Sequence, residues 1–370
     1  MIIKQYEPKF DITDLNTSFT SYFQSGGWIT EYIKTQEFEN KIKKFLGVKY
    51  CFVVNNGTIS LSLALLAGGI KPGDEVLVPN LSMIATANAI TLIGAIPIFI
   101  DIEPETLCLD LIKARQKITK NTKAIIYVTL NGRSISPQFI RTFCVMNNLL
   151  YISDDAQSFG SSYSNNSKIG TFGDICSFSF SMPKIITTGQ GGCLVTNNDK
   201  LADKIKKLKD FGRTSESLDI YEEFGINSKF TDLQALVGLS QLKTINWRIK
   251  RKKEIYKSYY ENLKNIKNIF FTPTDLNYVT PWFVDIFVKN PLDRDKLIKY
   301  LEKYNIKTRL IYPPINKQLC YVNHFQHFEI FENTIFYSER GFWLPSSFTL
   351  TNKDILYICD KIKKFYNSYA

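Results

Sequence analysis

Histidine is nearly absent. The 370 residues carry two, His324 and His327, both in the aromatic segment YVNHFQHF near the C-terminus. A histidine-based triad or a multi-histidine metal site is therefore not expected, each His reads as a surface or packing residue, and proton transfer should fall to another residue type. Cysteine is scattered rather than patterned. Cys51, Cys108, Cys144, Cys176, Cys193, Cys320 and Cys359 are odd in number and lie mostly in apolar runs, so neither a zinc site nor a disulfide framework follows. No stretch approaches the roughly 18 uninterrupted apolar residues of a membrane span. The opening MIIKQYEPKFDITD has acids where a secretion signal needs an apolar block, which predicts a soluble, cytoplasmic chain without a membrane partner. Acids are also in deficit: 46 Lys and Arg against 35 Asp and Glu leave a formal charge of +11. That excess suits an anionic partner, either nucleic acid or a phosphorylated small molecule, and its sign does not choose between them. Much of it sits in Lys runs from Lys204 to Lys209 and from Lys361 to Lys364, which read as solvated helix faces.

At 44% hydrophobic and 22% charged, the composition is that of a globular chain able to bury one large core and a smaller second one. Disorder, collagen and small disulfide scaffolds are excluded. From about residue 50 to 200, short continuous β-rich runs alternate with helical periods. CFVV at 51 to 54, EVLVP at 75 to 79, IPIFID at 96 to 101, AIIYVTL at 124 to 130, LLYIS at 149 to 153 and CLVTN at 193 to 197 read as strands buried on both faces. Thr58 to Leu66, Ile84 to Leu92 and Pro137 to Asn147 read as helices between them, and the alternation predicts an α/β fold with a mainly parallel sheet covered on both sides. After residue 229 a long helical stretch is expected, with a break near Asn246. A second unit follows: a strand at 283 to 288, a helix from Arg294 to Lys303, a strand from Lys307 to Ile311, and a closing helix. Its apolar stripe is Ile355, Ile358, Cys359, Ile362, Phe365 and Tyr366. The expected division is 1–245 and 246–370, with the N-terminal segment wrapping onto the second unit or a partner chain.

Three places can carry chemistry. Asn56-Gly57-Thr58 follows the strand CFVV and opens an apolar helix, where free backbone N–H groups, a hydroxyl and the positive end of the dipole can hold a phosphate. Alone, Thr58 reads as a plain N-cap. Asp154 and Asp155 follow LLYIS at the carboxyl end of a strand, where open α/β sheets place ligands, and Gln157 comes three residues after Asp154. A carboxylate there can bond a protonated ring nitrogen, or simply cap a loop. Lys184 is the single charged residue of FSFSMPKIITTGQGG, and burial would lower its pKa and make it an amine nucleophile able to form a Schiff base. A loop lysine is equally often solvated.

A phosphate cradle, a ring-nitrogen acid and a Schiff-base lysine are together what a protein must supply to pyridoxal phosphate. From Trp28 to Gly238 the chain resembles the pyridoxal-phosphate-dependent sugar aminotransferases of the DegT type. The segments that carry the likeness are FLGVKYCFVVNNGTISLSLALLAGGIKPGDEVLVPN, ATANAITLIGAIPIFIDIEPETLCLD, DDAQSFGS, GTFGDICSFSFSMPKIITTGQGGCLVTNN and FGINSKFTDLQALVGLSQL. TRLIYPPINKQ and RGFWLPSS extend it through the second unit. The resemblance implies the aspartate aminotransferase-like fold (type I): a large domain with a mainly parallel seven-stranded sheet and a smaller α+β C-terminal domain. It implies that Lys184 forms the Schiff base and shuttles the proton, that Asp154 partners the pyridinium nitrogen and that Gln157 neighbours the phenolic oxygen. Gly57, Thr58 and Ser179 would bind the phosphate, and Asn227 would reach the phosphate of the neighbouring subunit in a homodimer with shared sites. L-Glutamate is the implied amino donor and a phosphorylated ketone the acceptor.

Four positions depart from the pattern. Met83 stands where an aromatic that stacks on the cofactor is common, Thr129 and Asn316 where many relatives carry histidine, and Tyr32 where glycine is frequent. The reaction class is untouched by these changes, whereas the acceptor is left open. A nucleotide-linked keto-deoxysugar of cell-surface polysaccharide synthesis is one reading, supported by NGRS at 131 to 134 and by the PPINKQ and LPSS segments. A small keto phosphate such as dihydroxyacetone phosphate is the other. Arg133, Lys229, Arg309 and Lys317 are candidates for anionic substrate groups, and Trp28 and Tyr32 for the substrate entrance. A sugar dehydratase is disfavoured because that branch replaces the Schiff-base lysine. A basic nucleic-acid-binding or sensor protein that keeps the cofactor as a ligand is the non-enzymatic alternative, although no helix-turn-helix or zinc-finger pattern supports nucleic acid as a partner.

Overall fold

The computed structural model describes residues 2–215, 218–325 and 329–367. His327 lies outside them, and the side chain of His324 is likewise not described. Seven strands form the central sheet: β1 Tyr50–Val54, β2 Glu75–Pro79, β3 Ile96–Ile100, β4 Thr122–Val128, β5 Leu150–Asp154, β6 Ile175–Ser179 and β7 Gly192–Thr196. Their order is β1-β7-β6-β5-β4-β2-β3. Every pairing is parallel except those of β7, which runs antiparallel to both β1 and β6.

The continuous apolar runs follow from what covers the sheet. Successive side chains of a strand point to opposite faces. Val76, Val78, Ala124, Ile126 and Ile152 join one buried cluster, together with Leu61, Leu63 and Leu65 of the helix Gly57–Ala67. Leu77, Ile125, Tyr127 and Tyr151 join another on the far side, with Ile140 and Cys144 of the helix Pro137–Met146. With both faces buried, no polar alternation is allowed.

This topology sends the carboxyl ends of β1, β5 and β6 to one edge. The chain leaves β1 through Asn56 into the helix Gly57–Ala67, β5 ends on Asp154, and β6 ends on Ser179. Gly57 is required there by close approach, since a Cβ at that position would lie 2.9 Å from the Cβ of Ser179.

After a hairpin of β8 (Arg213–Ser215) and β9 (Leu218–Tyr221), two helices, Asp232–Lys243 and Ile245–Leu263, carry the chain onward. The break between them falls at Thr244, two residues before the expected Asn246; the Thr244 hydroxyl donates to the Gln241 carbonyl at 3.1 Å and accepts from Arg248 Nε at 3.0 Å. A second, antiparallel sheet follows in the order β10-β11-β13-β12, from β10 Ile269–Phe270, β11 Val284–Val288, β12 Arg309–Leu310 and β13 Gly341–Leu344. The helix Asn352–Asn367 buries all six residues of its apolar stripe against this sheet's core. The N-terminal segment also lies here: Ile3 N–H donates to the Asn305 carbonyl at 2.9 Å, and the Ser347 hydroxyl to the Glu7 carbonyl at 3.0 Å. Among the described residues no helix is long and apolar enough to cross a membrane.

Candidate active site

A cavity of about 260 Å³ opens where the strand ends converge, and the second unit supplies its remaining wall. Gly57, Thr58, Met83, Asp154, Gln157, Ser179, Lys184 and Arg309 all line it.

The helix Gly57–Ala67 presents its first turn to this space. The leading amides of a helix lack intrahelical acceptors. Asn56 takes one of them, its side-chain oxygen accepting from Ile59 N–H at 2.9 Å, while its carbonyl accepts the helix's first i→i−4 bond from Ser60 N–H at 3.1 Å. Those of Gly57 and Thr58 remain at the cavity, beside the hydroxyls of Thr58, Ser179 and Ser181. Two N–H groups, three hydroxyls and the dipole end can together hold an anion.

Asp154 is buried, and each carboxylate oxygen is fixed. Thr86 Oγ1 donates to Oδ2 at 2.8 Å and the Ala156 N–H to Oδ1 at 3.2 Å. Burial raises its pKa, while Thr86, Ala156 and the Lys184 charge oppose the rise. Asp155 points the other way, into the sheet, where Ser153 and Thr129 donate to its Oδ1 at 2.8 and 2.9 Å; burial lifts its pKa to about 7. Thr129 thus serves the floor beneath the cavity. Gln157 is held by its own amide: Oε1 accepts from Asn131 N–H at 2.9 Å, and Nε2 donates to the Tyr312 hydroxyl at 3.3 Å.

Lys184 sits on the loop that joins β6 to β7. Phe180 N–H donates to the Gly191 carbonyl at 2.8 Å and Thr188 N–H to the Phe180 carbonyl at 3.0 Å, which closes the loop at its base. Lys184 N–H then donates to the Ser181 carbonyl at 3.0 Å. The residue keeps some solvent contact across the open cavity, but protein surrounds the amine, and this burial lowers its pKa to about 8 against the favourable charge of Asp154. Arg309, on β12, adds a further lowering. Its guanidinium stands 5.5 Å from the Trp343 ring centroid and, among the described residues, has no acid partner.

Other candidates lie elsewhere. Arg133 is buried against Asp285, with NH2 to Oδ2 at 2.6 Å and NH1 to Oδ1 at 3.2 Å, so its charge is committed inside the fold and unavailable to an anionic substrate. Lys229 is ion-paired with Asp210 at 2.7 Å, and Lys317 is exposed on a short 3₁₀ turn, both outside the cavity lining. Trp28, Tyr32 and Asn227 are exposed and also absent from it. Asn316 is buried, exchanging two 2.9 Å hydrogen bonds with Asn80 and so tying the second unit to the end of β2. Thr86, Trp282 and Tyr312 line the cavity and were not anticipated. Thr86 had a readable signal, since a polar residue in the first turn of a helix that leaves a strand's carboxyl end faces this same edge.

A type I α/β fold with a lysine, an acid and a helix N-terminus around one cavity defines an aminotransferase of the pyridoxal-phosphate-dependent class. The chain belongs to the DegT/DnrJ/EryC1/StrS aminotransferase family, whose model matches residues 12–363. It is 37% identical over 368 residues to the GDP-perosamine synthase of Escherichia coli O157:H7, covering 99% of each chain, and 33% identical over 372 residues to that of Vibrio cholerae, covering 99% of this chain and 100% of the other. Among solved structures it superimposes on Helicobacter pylori PseC, an aminotransferase of pseudoaminic acid biosynthesis, with a TM-score of 0.91 at 25% identity over 100% of both chains. The family's aminotransferases depend on pyridoxal phosphate, and membership removes the non-enzymatic alternative.

Proposed function

We propose that the cavity holds pyridoxal 5′-phosphate and that the protein moves the amino group of L-glutamate to a nucleotide-linked keto-deoxysugar. One observation carries this reading: a buried amine of lowered pKa and a fixed buried carboxylate share a cavity with an anion-binding helix terminus. The residues fit the cofactor in a specific way. The Gly57 to Ser179 approach leaves no room for a Cβ, so the backbone itself forms the wall of the phosphate cradle.

The bound cofactor supplies an electron sink for the charge left when a Cα proton departs. Gly57 and Thr58 N–H groups, with the Thr58 and Ser179 hydroxyls, hold the phosphate against the helix dipole. Asp154, held by Thr86 and Ala156, would pair with the ring nitrogen, whose positive charge would favour the ionised carboxylate against the burial that opposes it. Gln157, held by Asn131 and Tyr312, would neighbour the ring's phenolic oxygen. Met83, which lines the cavity, would pack on the ring as an adaptable thioether. Lys184 Nζ would be the covalent anchor of the cofactor and, when free of that bond, would be the group that takes the proton from Cα and returns it to complete the transfer. Its lowered pKa suits both tasks near neutral pH.

Arg309 is the cation placed to meet an anionic group of donor or acceptor. Asn227, exposed and outside its own cavity, would serve the phosphate of a second copy in a homodimer with shared sites. The relatives' names favour the sugar over a small keto phosphate as acceptor, since GDP-perosamine synthase stands for two of them. The test is incubation with isotopically labelled glutamate nitrogen and, in parallel, nucleotide-linked keto-deoxysugars and dihydroxyacetone phosphate. Label in the sugar supports the reading; label only in the triose, or in neither, overturns it.

A further inference from the structure

The Lys184 amine has a defined resting place. Its Nζ lies 4.3 Å from the centroid of the Trp282 ring, within the range of a cation–π contact. Trp282 is buried and restrained from several sides. Its indole N–H donates to the carbonyl of Pro183, the residue preceding Lys184, at 2.7 Å. Its own carbonyl accepts from Lys252 Nζ at 2.7 Å, and the same ammonium reaches the Ser346 carbonyl at 2.7 Å. Lys252 is itself enclosed by the rings of Phe283 and Phe348, at 5.1 and 4.9 Å. Trp343 packs edge-on against the indole at 5.5 Å. The ring therefore cannot follow a moving lysine; the lysine comes to it.

We propose that Trp282 is a positioning residue for Lys184: its ring face receives the amine whenever the amine is not covalently engaged, and its N–H fixes the loop from which the lysine swings. The proposal rests on the reading of Lys184 as the reactive amine. The second unit thereby acts on the reaction from outside the strand-end residues, by fixing where the freed amine waits. Charged and titratable groups facing Lys184 are Asp154 from β5, Arg309 from β12 and the Tyr312 hydroxyl, and none of these lies on the element that bears Trp282. A cation on an aromatic face is stabilised relative to one on an aliphatic wall, so the ring should favour the protonated amine.

The test uses the full chain freed of cofactor. Trace acetic anhydride labels lysines in proportion to their free amine, and the Lys184 peptide is followed by mass spectrometry from pH 6 to 11. Trp282→Leu should move the Lys184 labelling midpoint down by about half a unit to one unit, about three- to tenfold in amine fraction. Trp282→Phe, which restores a ring without the N–H, should recover at least half of that shift. A midpoint unchanged or raised in Trp282→Leu overturns the proposal, as does a Phe variant indistinguishable from Leu. If the Leu variant does not fold, the Phe variant decides alone: a midpoint displaced from wild type by more than about half a unit overturns the ring's role, and one displaced by less supports it. Borohydride trapping at Lys184 in the wild-type holoenzyme tests the functional reading separately, so failure of one is distinguishable from failure of the other.

Discussion

Replacing Asp154 by Asn removes a charge while keeping the shape. The amide can still accept one of the two hydrogen bonds that Thr86 and the Ala156 N–H now give the carboxylate, at 2.8 and 3.2 Å. What would disappear is the proposed charge-assisted bond to a protonated ring nitrogen, worth about 1.5 to 3 kcal/mol. If that bond matters fully when charge flows into the ring, amine transfer slows by about ten- to 150-fold. The assay is a single turnover with glutamate, followed by loss of the cofactor's absorbance, with bound cofactor quantified in the same sample. Asp154→Ala serves as comparison, because it strands both donors as well and should also weaken cofactor retention. The reasoning is refuted if Asp154→Asn transfers its amino group at the wild-type rate with the cofactor fully bound.

Three further outcomes are expected. Lys184→Ala should fold normally, retain no covalently bound cofactor and show no turnover; normal turnover by steady-state assay would remove Lys184 from the mechanism. Asp285→Ala leaves Arg133 as an unpaired buried charge, also costing Asn131 Nδ2 its 3.0 Å acceptor, so unfolding in urea should show a loss of about 3 to 5 kcal/mol. A loss below about 1 kcal/mol would contradict the assignment of Arg133 to the fold. Asp155 makes stability depend on pH. Its carboxyl ionises near 4 when unfolded but at about 7 when folded, so over that window the folded state holds the extra proton and stability falls as pH rises. Asp155→Asn should flatten the pH 5 to 8 slope of the urea midpoint, and an unaltered slope would count against it.

Much of the sheet was legible because burial on both faces leaves no choice of residue type. The strands of EVLVP and IPIFID fell within a residue of their expected bounds. Direction was not legible: Gly192–Thr196 is too short and too uniformly apolar to show that it runs against its neighbours. In the second unit only Arg309–Leu310 of the expected 307–311 strand is paired, and the helix Glu332–Arg340 and strand β13 went unread. FWL gives a run too short to separate strand from loop.

The cavity shows the same division. Gly57, Asp154 and Gln157 belong to local patterns at strand ends and Lys184 to an apolar loop between strands, so they could be picked out from sequence, whereas Ser179 followed from the family resemblance. Trp282 and Tyr312 could not, because their approach to Lys184 is made by folding across about a hundred residues, and a tryptophan beside Phe283 reads as core. Arg133 was misplaced for the same reason. Its partner Asp285 is 152 residues away, and a charge with a distant partner looks free in one dimension.

The proposed chemistry depends on Lys184 Nζ forming the covalent link to the cofactor. Reduction of the holoenzyme with borohydride, digestion and mass spectrometry test it directly. One pyridoxyl-phosphate adduct is expected, on the peptide containing Lys184; an adduct on another lysine, or an unmodified Lys184 in enzyme that retains the cofactor, would exclude this lysine as the anchor.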